Sequence, residues 1–200
     1  MLGNPDIAVV RRMNQLQLHR GPDGQNVWSD DNVAFGHTRL AIVDVHGSQQ
    51  PIHGSNERTL IVNGEIYNHR KLRTKLSHYP FSTSGDSEVI LALHDQFLAT
   101  NQLVPSANDH ASWLKELDGM FAIALWDAQN KQLILARDSL GIKPMVKTEV
   151  EGTLLFASEV KALRADDRHV PELDDIALAA RMVWEYPLDA TTLLKGVTQV

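Results

Sequence analysis

Residues 59–73, TLIVNGEIYNHRKLR, begin as a strand and end as a helix. Leu60, Ile61 and Val62 form a short apolar run with β-branched character, and Leu72 and Leu76 stand i, i+4 apart on the helical face that follows. Between them sit Asn63-Gly64-Glu65, an amide, a bare backbone and a carboxylate at the strand's exit. A turn needs one glycine or asparagine, not all three polar features. The surplus of polar chemistry where the chain leaves its core calls for a functional account.

Upstream, Ile7, Val10, Met13 and Leu16 recur at helical spacing over residues 7–18, and His19-Arg20-Gly21-Pro22-Asp23-Gly24 breaks that helix. Strand signals follow at residues 27–28, 33–35 and 40–43, then a loop rich in Gly, Ser and Gln over residues 46–56. Downstream, Asp86-Ser87-Glu88 reads as a helix start ahead of Val89, Ile90, Leu91 and Leu93. A helical piece over residues 111–117 ends at Asp118-Gly119. Residues 121–126 and 133–136 flank a short polar turn as a β-hairpin, and a second hairpin joins residues 145–150 to 154–157 around Glu151-Gly152. Helices are expected over residues 158–164 and 173–183, and a strand or strand lead-in over 193–200. Strands come in runs and helices in groups, which predicts an α+β fold with largely antiparallel sheets.

Composition narrows the function. Two hundred residues suffice for one domain with a proper core. An apolar fraction of 43% and a charged fraction of 22% are ordinary for a globular chain. The net charge is −6 and the basic residues are scattered, which argues against nucleic acid as a partner, because phosphate binding needs a basic stripe. The apolar runs are strand-sized and the N-terminus has no signal-peptide pattern, so neither membrane insertion nor secretion is expected, and the expected location is cytoplasmic. There is no cysteine, which excludes disulfides, thiolate zinc sites and cysteine redox chemistry from these residues. Nine histidines include no pair at a ligand spacing such as HExxH, and no metal is expected.

Several motifs have two readings when taken alone. Residues 19–23 are a helix stop and turn. Gly36-His37-Thr38-Arg39-Leu40 is a strand with a bulge at Gly36, or a strand whose Arg39 presents a two-pronged donor to a ligand carboxylate. Asp86 is an N-cap, or an anchor for a ligand ammonium group. Residues 137–144, RDSLGIKP, form an ion-pair-capable loop with a structural role.

The ordered series is far more specific than its parts. HRGPDG, GHTRLAIVD, VNGEIYN, DSEVI, LDGMFAIALWD, ARDSLGIKP and FASEVKAL follow one another along residues 19–163. Together they resemble the glutaminase domain of glutamine-dependent asparagine synthetases, a class II glutamine amidotransferase among the N-terminal-nucleophile hydrolases. The resemblance implies a four-layer αββα sandwich of largely antiparallel sheets. It implies that Arg39 holds the glutamine α-carboxylate and that Asp86 holds the α-ammonium, assisted by backbone near Gly64. The Asn63 side-chain amide and the Gly64 N–H would form the oxyanion hole, two dipoles aimed at one developing negative charge. Glycine would there let the ligand approach closely. Glu65 is expected to brace the pocket.

The same resemblance requires a cysteine nucleophile at the mature N-terminus, with its own amine as base. This chain begins Met1-Leu2-Gly3-Asn4 and has no cysteine, serine or threonine to serve there. Only residues 1–6 precede the first helix, so the family's first strand is expected to be missing, with Leu2-Gly3 a remnant of it. After Pro144 the family continues Tyr-Tyr or similar, whereas this chain has Met145-Val146-Lys147. The expected organisation is one N-terminally truncated amidotransferase domain over residues 1–200, without the C-terminal synthetase domain that would bind ATP and magnesium. The parent would hydrolyse glutamine and pass ammonia to that domain for asparagine formation. The alternative is a degenerate structural or glutamine-binding domain of an amide- or lactam-forming relative. L-Glutamine and the synthetase domain are the expected partners, no cofactor is expected in this domain itself, and a homodimer is left open.

Overall fold

The computed structural model describes residues 1–41, 47, 49–100, 106–186 and 189–200. In chain order the elements are α1 (Ile7–Leu16), a 3-10 turn (Leu18–Arg20), β1 (Gly24–Ser29), β2 (Ala34–Arg39), β3 (Ile52–His53), β4 (Arg58–Ile66), α2 (His69–Lys75), α3 (Val89–Thr100), α4 (Ala107–Leu114), β5 (Gly119–Asp127), β6 (Gln132–Arg137), β7 (Val146–Val150), β8 (Thr153–Ala157), α5 (Val160–Leu163), α6 (Asp175–Trp184) and β9 (Thr198–Gln199). All ladders between these strands are antiparallel, so the α+β class with antiparallel sheets holds. The chain forms two compact units, residues 1–40 with 144–200, and residues 41–143.

In the first unit β1 and β2 form a hairpin, and β8, β7 and β9 form a three-stranded sheet. Residues 1–3 run between them in strand fashion. Leu2 exchanges N–H···O bonds with Leu154 (2.9 and 3.0 Å), Gly3 donates to Asn32 O, and Ala34 donates to Met1 O. The β7–β8 hairpin turns on Glu151 and Gly152, both at positive φ (48° and 73°), as a type I′ hairpin turn requires. Helix α1 is capped by Asp6, whose carboxylate accepts from the Ala8 and Val9 N–H groups. Its Val9, Val10 and Met13 enter a core with Ala34, Leu155, Leu163 and Val197.

Three sequence expectations change in this unit. No bulge occurs at Gly36, because the β1–β2 register runs unbroken from Gly24↔Arg39 to Ser29↔Ala34. A Cβ on Gly36 would stand 2.4 Å from Asn14 Oδ1 and 2.7 Å from Val10 Cγ1, so the glycine makes room for α1. The strand expected over residues 40–43 is absent at Leu40 and Ala41, since β2 ends at Arg39, and the remainder lies outside the described residues. Of residues 193–200 only Thr198 and Gln199 form a strand, paired with Lys147 and Val146.

In the second unit the sheet order is β3-β4-β5-β6. Alternation along β4 sends Leu60, Val62 and Ile66 into a core with Leu72 and Leu76 at α2, residues 89–93 and Phe97 of α3, and Trp113 of α4. Each such fully buried aliphatic side chain contributes about 1.5–3 kcal/mol. The hairpin expected around residues 127–132 is β5–β6. Helix α4 starts earlier than its apolar pattern suggested. Ser106 and Asp109 form a capping box ahead of the polar turn, with Ser106 N and Oγ both bonded to Asp109 Oδ2 (2.7 and 2.6 Å). At the start of β4, Arg58 is buried between two carboxylates, with Nε 3.2 Å from Asp127 Oδ2 and Nη1 paired to Asp95. Among the described residues, no helix is long and apolar enough to cross a membrane.

Candidate functional site

The candidate site grows from the far end of β4. The backbone groups of this strand alternate between its two neighbours. Tyr67 N–H points toward β5, donating to Asp118 O, while Val62 and Ile66 point to the other edge. There β3 pairs only with Leu60 and Thr59 and then ends. Beyond it, the carboxamide of Gln50 takes over: Nε2 donates to Val62 O (3.0 Å) and Oε1 accepts from Val62 N (2.6 Å). Two positions past the next even residue, Asp86 Oδ2 accepts from Ile66 N (2.7 Å). The strand's alternation puts the Gly64 N–H on this same edge, between the two clasps. Phe121, opposite Gly64, is engaged on its other side: its N–H donates to Asp138 Oδ2 and its carbonyl accepts from Asp138 N.

The Asn63 side chain projects from the face of β4 opposite the Leu60–Val62–Ile66 core. Its Nδ2 is buried and has no hydrogen-bond acceptor among the described residues. An orphaned donor of this kind is uncommon, because leaving it unpaired costs about 1–3 kcal/mol. Gly64 has a reason the sequence did not reveal. A Cβ there would lie 2.2 Å from Met120 O and 2.7 Å from Phe121 Cα, and a Cβ on Gly119 would lie 2.2 Å from Glu65 O. The bare backbone thus serves a close approach of β4 to β5. Glu65 lies half-buried opposite Met120 and joins no ion pair among the described residues.

Asp86 is not the cap of α3, which begins at Val89. The acid-rich sequence resembles a cap, but its carboxylate reaches across to β4 instead. The loop before it is held by Glu88, which the sequence placed only in a helix start, and by Arg73. Glu88, 1% exposed, accepts from Ser82 N and Oγ (2.8 Å each) and from Thr83 N and Oγ1 (2.7 Å each). Burial opposes its ionisation, but the bonds from Ser82 and Thr83 outweigh it and hold the carboxyl below its ordinary range. Arg73 Nη2 donates to Thr83 O (2.8 Å) and Gly85 O (2.6 Å), and its guanidinium lies 4.2 Å from the Phe81 ring centre. The signal was present as Arg73 and Glu88 flanking a Ser-Thr loop, but the two are too distant in sequence to be paired by pattern.

Arg39 belongs to the first unit, at the end of β2. The HRGPD turn grips its backbone. Asp23 N donates to Arg39 O (2.9 Å), Pro22 bridges to Arg39, and a Cβ on Gly21 would stand 2.3 Å from Thr38 C. The same segment is tied to FASEVKAL through Glu159. That carboxylate receives His19 Nε2 (2.9 Å), Arg20 Nη1 (3.1 Å) and Lys161 Nζ (3.0 Å). Burial opposes its ionisation, but the bonds from Lys161, Arg20 and His19 bring it down to about 2. Residues 137–144 have the structural role expected. Asp138 accepts from Ile142 N (2.8 Å) and Lys143 N (3.0 Å), and Arg137 donates to Lys143 O and Gly141 O. The second unit therefore brings Asn63, Gly64, Glu65 and Asp86 together along one strand end.

A family model described as a glutamine amidotransferase domain matches residues 2–200. The chain belongs to that family. This amidotransferase domain is 36% identical over 195 residues to asparagine synthetase [glutamine-hydrolyzing] 1 of Bacillus subtilis, covering 96% of the chain and 29% of the relative. It is 40% identical over 154 residues to asparagine synthetase B [glutamine-hydrolyzing] of Escherichia coli, covering 76% of the chain and 26% of the relative. The domain thus spans under a third of the length of these curated relatives. Among solved structures, its fold matches the glutamine phosphoribosylpyrophosphate amidotransferase of B. subtilis with a TM-score of 0.62 at 19% identity, over 86% of this chain and 44% of that one. It also matches an allosteric regulatory enzyme of purine biosynthesis, with a TM-score of 0.54 at 24% identity, over 68% of this chain and 30% of that one. These two likenesses concern the fold alone. They support the N-terminal-nucleophile-hydrolase type of α+β fold expected from the motifs.

Proposed function

We propose that this domain binds L-glutamine at the end of β4 and serves, in the cytoplasm, a protein that uses glutamine nitrogen for ATP-dependent asparagine formation. Asp86 holds the α-ammonium. Asn63 Nδ2 and the Gly64 N–H receive the side-chain carbonyl oxygen, and Glu65 braces the pocket. The observation that carries this reading is the buried Asn63 Nδ2 without an acceptor, on the strand whose next N–H lies between the Gln50 and Asp86 clasps.

In the reaction, a nucleophile adds to the amide carbon and the carbonyl oxygen takes up negative charge. The C–N bond then breaks with a proton delivered to nitrogen, leaving ammonia, and water completes the release of glutamate. Two fixed donors at the oxygen lower the barrier, and losing one such donor typically costs on the order of 10²–10³ in rate. ATP and magnesium would belong to a synthetase domain outside these residues. No group of three or more metal-ligating side chains stands together among the described residues.

The nucleophile is the point of departure, because these 200 residues contain no cysteine. The chain therefore binds glutamine without turning it over. The second reading is a degenerate structural or glutamine-binding domain of an amide- or lactam-forming protein. Incubating the chain with glutamine tests both halves. A melting temperature that rises with glutamine concentration, with ammonia no higher than in a blank, is expected. Ammonia above the blank overturns the inactivity, and a folded chain with an unmoved melting temperature overturns the binding.

A further inference from the structure

We propose that Gln50 is a positioning residue for the two amide-binding donors, an inference that rests on the glutamine-binding reading above. The register Ile52↔Leu60 would place Gln50 opposite Val62 if β3 continued. β3 begins only at Ile52, so the Gln50 backbone does not extend the ladder. The Gln50 side chain supplies the pairing instead, donating to Val62 O at 3.0 Å and accepting from Val62 N at 2.6 Å.

A carboxamide carries one donor face and one acceptor face, the same complement as a peptide unit. It can therefore stand in for a neighbouring strand over a single residue and then stop. The effect is to lock the backbone of Val62, immediately before Asn63, while the edge at Gly64 is left to another partner. Asp86 locks the far side at Ile66. Oxyanion donors help only when held in place before the charge develops, and misplacement of about 1 Å costs heavily. Gln50 acts through Val62 and does not itself touch the ligand.

The test compares two ligands on the intact chain by calorimetric titration: L-glutamine, and L-norvaline, which keeps the α-groups and carbon chain but lacks the amide. The variants are Gln50→Ala and Gln50→Glu, the latter keeping size and acceptor but losing the donor to Val62 O. Both are expected to weaken glutamine binding roughly tenfold, the scale of one misplaced hydrogen bond, and to leave norvaline within about twofold. Equal weakening of both ligands overturns the proposal and makes Gln50 a general prop of the fold, as does no weakening of either. A parent chain that binds neither ligand removes the glutamine-binding reading itself, and this inference with it. A parent that binds both, with variants that fail on glutamine alone, supports both.

Discussion

The Asp86 carboxylate accepts a hydrogen bond from the Ile66 backbone N–H at 2.7 Å, tying the loop before α3 to the last residue of β4. Asp86 is thereby held two positions from Gly64 on the strand edge, and 8% of its surface is exposed. Asp86→Asn keeps an oxygen for Ile66 N–H but removes the charge. Its melting temperature should stay near the parent's while glutamine binding weakens by about 2–5 kcal/mol, the cost of leaving a charged ligand group unpaired. Calorimetry beside a thermal melt separates the two effects.

Glu88 predicts a different outcome. Its carboxylate satisfies two backbone and two hydroxyl donors of Ser82 and Thr83, all of which Glu88→Ala leaves unpaired. Urea unfolding should show a loss of at least about 2 kcal/mol, since each orphaned buried donor costs about 1–3 kcal/mol. A loss below 0.5 kcal/mol, a roughly surface-like effect, would mean that the loop is not held this way.

His94 should make the fold acid-sensitive above the range of the carboxylates. It is 1% exposed and neither ring nitrogen has a partner among the described residues. Burial, then the Arg58 cation and His110, lower its pKa to about 3 against the partial opposition of Asp127. Between about 6.5 and 3 the unfolded chain therefore holds a proton on His94 that the folded chain does not. Stability is full above about 6.5 and falls as the pH drops through that window. Chemical unfolding at pH 7 and pH 5 should show the drop, and His94→Phe should flatten it. An unchanged slope in the variant would assign the drop to other groups.

Gly64→Ala should unfold more easily by about 1–3 kcal/mol, as overpacked sites do, because its Cβ would meet Met120 O at 2.2 Å. Backbone on both sides of that contact leaves little to yield. A variant as stable as the parent would show that β4 and β5 separate here without cost.

Much of this was legible in the sequence, and the failures share a cause. Periodicity and turn residues located α1, β4, the β5–β6 and β7–β8 hairpins and α6, because each is specified by its own residues. The family followed from the order of the motifs. What the sequence hid were relations between distant segments. Asp86 resembled a cap by composition, but its partner is Ile66. Gly36 resembled a bulge, but it answers to Asn14 on α1. Gly64 also answers to a distant segment, since a Cβ there would meet Met120 O of β5. Gln50 lay in a loop whose composition says nothing of its clasp on Val62. A local pattern names a conformation, whereas the partner that makes it useful is chosen by the fold.

The most direct test is a calorimetric titration of L-glutamine into the intact chain and into Asp86→Asn, with folding of both verified by thermal melts. A saturable heat in the parent that vanishes in the variant is the predicted result. Equal binding by both, or none by a folded parent, would contradict the assignment of the β4 end as a glutamine site.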